Sequence, residues 1–196
     1  MRLIVAIEGL ICAGKTSLLR NLKLTVDCLT IPEYGEFIEN HEQLPMFPPS
    51  NRDQAIFASR FFARLEKRRQ KELLLAKKGK SFAVLDRSIL SCLAFDFAAR
   101  NFTGFDTYSE VIQIYQNEKF LQPSLYLYLE IPYQMSINRM KQRGTFSGDH
   151  FAGEEFNNLL VGFYQYFFDL PLFFRIDASL NKQEVLRRVY MLEART

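Results

Sequence analysis

Tryptophan is absent from this sequence, histidine occurs twice and cysteine three times. No apolar run reaches the roughly 18 residues of a membrane span. Each shortage excludes something. With only His41 and His150, and no CxxC pair, a structural zinc is not expected. Cys12, Cys28 and Cys92 are odd in number and follow no framework spacing, which argues for a reducing compartment and hence a cytoplasmic location. The opening residues run straight into a strand pattern, so neither a signal peptide nor a membrane partner is expected. The formal charge is only +3, too small to argue for nucleic acid, which normally needs a clustered basic face. Arg64, Lys67, Arg68, Arg69 and Lys71 do form a basic run, which reads as the solvated face of a helix.

What the sequence does have is an ordinary globular composition. Of its 196 residues 48% are hydrophobic, with 19 Phe and 9 Tyr, enough for one domain with a sizeable core. The ring-rich run from Phe163 to Phe174 reads as core or substrate wall.

Short apolar runs alternate with helical periodicity. Leu3 to Ile7 reads as a buried parallel strand, bounded by Glu8-Gly9. A helix is predicted from Lys15 to about Lys23, a strand over Val26 to Ile31, and a long helix from about Asn51 to Lys78 after a proline-rich loop. Strands follow at Phe82–Leu85, Leu125–Leu129 and Leu172–Ile176. Helices are predicted over Ile89–Arg100, on the Tyr108, Val111, Ile112, Tyr115 face, after Pro132, over Glu154–Phe168 and over Lys182–Glu193. Such alternation predicts an α/β fold: about five parallel strands flanked by helices in three layers, as a single domain over 1–196. Ligands in such sheets bind beyond the carboxyl ends of the strands.

That is where the unusual residues fall. Gly9-Leu10-Ile11-Cys12-Ala13-Gly14-Lys15-Thr16 matches G-x-x-x-x-G-K-[ST], placed between a strand and a helix as a P-loop requires. Glycine lets the backbone wrap phosphate oxygens, and the amides from Gly9 through Cys12, Ala13 and Gly14 to the helix start point at the anion. Lys15 supplies charge to the β- and γ-phosphates, Thr16 can ligate Mg²⁺, and Ser17 could assist one position late. The motif implies ATP and Mg²⁺; it does not say what receives the phosphoryl group.

The acceptor side offers several candidates. Asp86-Arg87-Ser88 closes a buried strand, so Asp86 can hold Mg²⁺ and Arg87 can stabilise the transferring group, although a helix cap with a surface ion pair has the same pattern. Glu33 follows Pro32 at a strand end and can take the proton of an attacking hydroxyl; Glu36 and Glu39 are rivals. Arg139 and Arg143 share a helix face and lead into Gly144-Thr145-Phe146-Ser147-Gly148, a lid at about 143–153 that would exclude water.

Together these residues resemble the deoxynucleoside kinases, within the wider group that includes thymidylate kinases, from Ile4 to about Val189. Ile11 and the Asp86-Arg87-Ser88…Ser91 pattern look like the nucleoside-kinase branch; thymidylate kinases usually carry Asp and an aromatic at positions 11 and 88. The resemblance makes Glu33 the base on the 5′-hydroxyl, and Glu155 the residue that holds the sugar 3′-hydroxyl. It makes Ile176-Asp177-Ala178-Ser179 the adenine-side loop, and implies a possible homodimer through the Tyr108–Tyr115 face. It also aligns Met46-Phe47, Arg52 and Phe57 with the stretch framing the base. Departures are visible there. The expected base-reading glutamine falls at Ala58, with Gln54 one turn earlier as its substitute, and Phe47 stands where a tyrosine is common. The leading expectation is 5′-phosphorylation of a nucleoside; a nucleoside monophosphate kinase and a non-catalytic nucleotide-binding regulator are the alternatives.

Overall fold

A computed structural model describes residues 3–39, 44–75, 82–144 and 153–193. Five parallel strands form one sheet: β1 (Leu3–Gly9), β2 (Cys28–Ile31), β3 (Phe82–Asp86), β4 (Leu125–Glu130) and β5 (Phe173–Asp177), in the order β2-β3-β1-β4-β5. The helices are α1 (Lys15–Thr25), α2 (Arg52–Leu75), α3 (Ile89–Thr103), α4 (Tyr108–Asn117), α5 (Tyr133–Gln142), α6 (Glu154–Gln165) and α7 (Lys182–Glu193), with a 3₁₀ turn at Tyr34–Phe37.

The expected architecture is what forms. β1 pairs with β3 on one side and β4 on the other, so it is covered on every side, which is why it reads as a continuous apolar run. Alternate residues of the strands serve opposite layers. Val5, Ile7, Leu127 and Leu129 pack with Leu18 and Leu22 of α1 and Val185 of α7. On the opposite face, Ala6, Ala83 and Leu85 meet Leu73 of α2, and Tyr128 and Phe173 join an aromatic cluster with α3 and α6. Of the ring-rich run beginning at Phe163, Phe163, Tyr164 and Phe173 are buried and Phe167 and Phe168 pack against them, whereas Tyr166 is exposed.

Chain direction explains where the site must be. From β1 the chain builds β2 and β3 on one side, then crosses back to build β4 and β5 on the other. The crevice above the carboxyl ends of β1 and β3 is the switch point where a ligand finds room. Boundaries differ from expectation by up to three residues: β1 continues to Gly9, β2 starts at Cys28, α6 stops at Gln165 rather than Phe168, and α3 continues to Thr103, where left-handed Gly104 ends it. The far end predicted for α2, at Lys78, lies outside the described residues, as does most of the expected lid.

The face expected for dimerisation is only partly open: Tyr108 and Ile112 are half-buried. Val111 and Tyr115 are buried against α2 and α3 of the same chain. The basic run also needs correction. Arg64, Lys67, Arg68 and Lys71 are exposed, but Arg69 is 1% exposed.

Candidate active site

The loop from Gly9 to Lys15 has the backbone that its sequence requires. Gly9 has φ +133°, and a Cβ there would stand 2.6 Å from the Leu129 carbonyl oxygen. Gly14, at φ +104°, opens α1 in the left-handed region with nothing where a Cβ would be. Cys12 also has positive φ, a strained conformation that clusters at ligand-binding turns. Ser136 of α5 donates to Ile11 O at 2.6 Å, and Arg139 donates to Cys12 O and Ala13 O at 3.3 Å each and to Ala178 O at 3.1 Å. Arg139 is therefore a brace between the loop and the β5–α7 turn, a different position from the one expected of a lid arginine. Arg143 reaches the cleft edge beside Cys12.

Lys15 is buried and folds back on the loop, donating to Gly9 O at 3.1 Å and Leu10 O at 2.6 Å. Burial first, and then the charge of Arg87, lower its pKa to about 7 against the pull of Asp86, Glu33 and Glu8. Thr16 Oγ1 donates to Asp86 Oδ2 at 2.7 Å, while Asp86 Oδ1 is buried with no hydrogen-bond partner among the described residues. A hydroxyl and an orphaned carboxylate oxygen at a phosphate loop suit a hard divalent cation that keeps its remaining ligands from phosphate and water. Among the described residues there is no larger acidic or histidine cluster that could hold a metal instead.

Across the cleft, Arg87 also has positive φ, its backbone N–H bonded to Ile7 O at 3.0 Å. Its buried guanidinium donates to Glu33 Oε1 at 3.1 Å, Ser91 Oγ at 3.1 Å and Gly9 O at 3.4 Å. Burial disfavours the Glu33 carboxylate, but the charges of Arg87 and Lys15 and the Arg87 hydrogen bond outweigh it and hold the carboxyl below its usual range. Glu33 is thus ionised at neutral pH, in the state a base requires.

Two supporting networks went unread in the sequence. Glu8, fully buried, accepts from Ser88 N at 2.9 Å, Ser88 Oγ at 2.6 Å, Tyr164 OH at 3.0 Å and Ser91 Oγ. It fastens the start of α3 to β1 and α6. A carboxylate inside an otherwise apolar strand was the signal. In the second, Arg69 donates to Pro32 O at 3.1 Å, Asp86 O at 2.9 Å and Arg87 O at 2.8 Å, and to Glu66 Oε2 at 2.7 Å. Tyr34 OH also donates to Glu66, at 2.8 Å, and its ring lies 4.2 Å from the guanidinium. One side chain thereby ties the end of β2, which carries Glu33, to the end of β3, which carries Asp86 and Arg87. Its phase was the missed clue: Arg69 falls in step with buried Ala55, Ser59, Glu66 and Leu73 of α2.

A cleft of about 680 Å³ holds Lys15, Thr16, Ser17, Glu33 and Arg87 at one end and Phe47 in its wall. Three expected acceptor contacts are placed elsewhere. Gln54 does not line this cleft; its carbonyl oxygen accepts from Ser50 N at 2.9 Å and Ser50 Oγ at 2.8 Å, closing the first turn of α2. Phe57 is 52% exposed and lies against Phe61, on the wrong face of α2. Glu155 is exposed in the first turn of α6 and likewise does not line the cleft. A second cleft, of about 220 Å³, lies behind the loop between Arg139, Arg143, Ala178 and Lys182.

A phosphate-wrapping loop at a switch point, opening onto the larger cleft whose wall carries a carboxylate–arginine pair, defines a P-loop phosphotransferase. The deoxynucleoside kinase family model matches residues 5–155, and the chain belongs to that family, whose members phosphorylate nucleosides. No curated protein sequence matches it. Among solved structures, deoxyadenosine kinase from M. mycoides with bound dATP superposes with TM-score 0.73 at 22% identity, covering 99% of this chain and 100% of that one. The same protein with bound dCTP gives TM-score 0.72 at 20% identity and the same coverage. At such identity the likeness establishes a shared fold.

Proposed function

We propose that the chain transfers the γ-phosphoryl group of ATP to the 5′-hydroxyl of a nucleoside seated in the larger cleft, with Glu33 taking the hydroxyl proton. One observation carries this reading: Glu33 and Arg87, from two different strand ends, meet as an ion pair in a cleft wall that also presents Lys15 and Thr16. An acceptor phosphate would arrive already ionised and need no base, and a carboxylate beside it would repel it. A hydroxyl acceptor turns the same carboxylate into a proton sink.

The roles follow from position. The triphosphate lies on the amides of Gly9 to Gly14, and its nucleoside half extends into the smaller cleft by Ala178, the turn expected on the adenine side. Lys15 leaves its loop carbonyls for the phosphate oxygens. Thr16 and Asp86 would hold Mg²⁺, which when bound would neutralise negative charge on the phosphates. Arg87 lies between Glu33 and the loop, where charge builds on the transferring group. Because that transition state is loose, a carboxylate with a lowered pKa suffices: it accepts the proton late and mainly aligns the hydroxyl.

The test is Glu33→Gln, assayed with ATP and Mg²⁺ on deoxynucleosides and their monophosphates, with product phosphates resolved. Turnover on nucleosides should fall by about 10²- to 10⁴-fold, while ATP binding is kept. Undiminished turnover in the variant, or a native protein that phosphorylates only monophosphates, overturns the reading.

A further inference from the structure

Away from the phosphate loop the larger cleft is nearly all apolar. Ala55, Ala58 and Phe62 of α2 face Phe95 and Ala99 of α3. Among these walls stands one carboxylate, Asp96. It lies eight residues beyond Ser88, the N-cap of α3, or about 12 Å along the helix from the phosphate end.

The carboxylate is incompletely used. Tyr115 OH donates to Oδ2 at 3.2 Å. Ser59 Oγ is 3.5 Å from Oδ1, at the limit of a hydrogen bond, and its single hydrogen has a nearer acceptor in Ala55 O at 3.0 Å. No cation forms an ion pair with Asp96 among the described residues. A carboxyl oxygen in an apolar wall without a strong donor is costly unless something entering the cleft supplies one. Tyr115 accounts for one oxygen of the carboxyl group; the other has only the distant Ser59 hydroxyl.

We propose that Asp96 reads the base of the acceptor: Oδ1 accepts an N–H from an exocyclic amino group. Nucleosides of adenine or cytosine are then favoured over those of thymine, uracil or hypoxanthine, which carry a carbonyl oxygen in place of that amino group and are repelled by the ionised carboxylate. This rests on the reading that a nucleoside occupies the larger cleft. With its 5′-hydroxyl at Glu33, the base extends along α3 toward Asp96. Paired contact between a carboxylate and an amino-bearing base edge discriminates by roughly one to two powers of ten.

The experiment deletes the amino group from the substrate as well as the carboxylate from the protein. Deoxyadenosine is compared with purine 2′-deoxyriboside, and deoxycytidine with thymidine and deoxyuridine, using the native chain and Asp96→Ala. In the native protein, loss of the amino group should lower kcat/KM by about 10- to 100-fold. In Asp96→Ala the two members of each pair should converge. Asp96→Ala leaves ATP binding intact, which shows that the variant is folded; if it is not folded, the native-protein pairs decide alone. Equal use of amino-bearing and amino-free nucleosides by the native protein, or discrimination that survives in the variant, overturns the role of Asp96 and leaves nucleoside phosphorylation standing. Failure to phosphorylate any nucleoside removes both.

Discussion

Replacing Arg69 by Met should damage both stability and turnover, and the two effects can be separated. The guanidinium is 1% exposed and its partner Glu66 is 2% exposed. Met fills much of the arginine's volume, so the loss is mainly electrostatic. Breaking a buried pair by removing one partner costs about 3–5 kcal/mol, because the remaining charge is stranded. Tyr34 OH and Gln70 Nε2 still donate to Glu66, at 2.8 and 2.9 Å, which places the expected loss near the lower end, about 3 kcal/mol. For a chain of this size that corresponds to a fall in Tm of about 6–12 °C. Removing the stranded charge as well, in Glu66→Leu/Arg69→Met, should restore most of the stability. It should not restore turnover, because Pro32 O, Asp86 O and Arg87 O remain without the donor that joins them. Urea titrations with linear extrapolation, beside steady-state kinetics on one batch of protein, read both quantities. An Arg69→Met variant within about 1 kcal/mol of native stability, or a double variant that regains full turnover with its stability, would show that Arg69 does not position the site.

Three further outcomes follow from buried charge. Lys15 has a pKa of about 7 when it faces only its own loop; a triphosphate raises it, so nucleotide binding at pH 8 should take up about 0.9 proton. Calorimetry in buffers of different ionisation enthalpy measures this, and uptake that persists in Lys15→Met would assign the proton elsewhere. The sign for the unliganded fold is opposite to that of a paired lysine: the folded chain holds fewer protons than the unfolded chain between about pH 7 and 10.5, so this group's share of stability rises with pH through that window. Glu8→Gln places an amide N–H₂ among four donors and should cost about 2–3 kcal/mol in a denaturant titration. A cost below about 0.5 kcal/mol would mean that the Ser88–Ser91–Tyr164 cluster does not depend on the carboxylate.

The two ends of the site were not equally legible, and the reason is geometric. At the phosphate end recognition is done by backbone amides, and backbone shape constrains residue type directly. Gly9 has no room for a Cβ beside Leu129 and Gly14 must adopt positive φ, so both appear in the sequence at fixed spacing. Glu33, Asp86 and Arg87 were also readable, because strand ends of a parallel sheet converge on one crevice and a polar residue at an apolar strand's end announces itself. The sheet and its helices were legible for the same reason: alternating apolar runs and helical periods survive small errors in boundary.

The base end is assembled differently. Its walls are side chains from α2, α3 and the segment before α2, and which of them face inward depends on helical phase rather than on identity. Gln54 and Ala58 lie one turn apart, yet Ala58 lines the cleft and Gln54 bonds to Ser50. The position expected for a base-reading residue therefore lines the cleft, while the side chain there has nothing to read with. The same error of phase hid Arg69 among exposed lysines and arginines. Ala58 leaves a gap in the wall of α2, and the polar atom nearest to filling its role comes from the opposite helix, at Asp96. If the amino-group experiment succeeds, the two observations become one: the reading group stands on α3 rather than α2, so selectivity should be altered more by substitutions at Asp96 than by placing a glutamine at Ala58. An Ala58→Gln variant should fill the cleft and slow every nucleoside alike. If it instead sharpened discrimination between deoxyadenosine and purine 2′-deoxyriboside, the α2 side of the cleft would be the one that meets the amino-bearing edge.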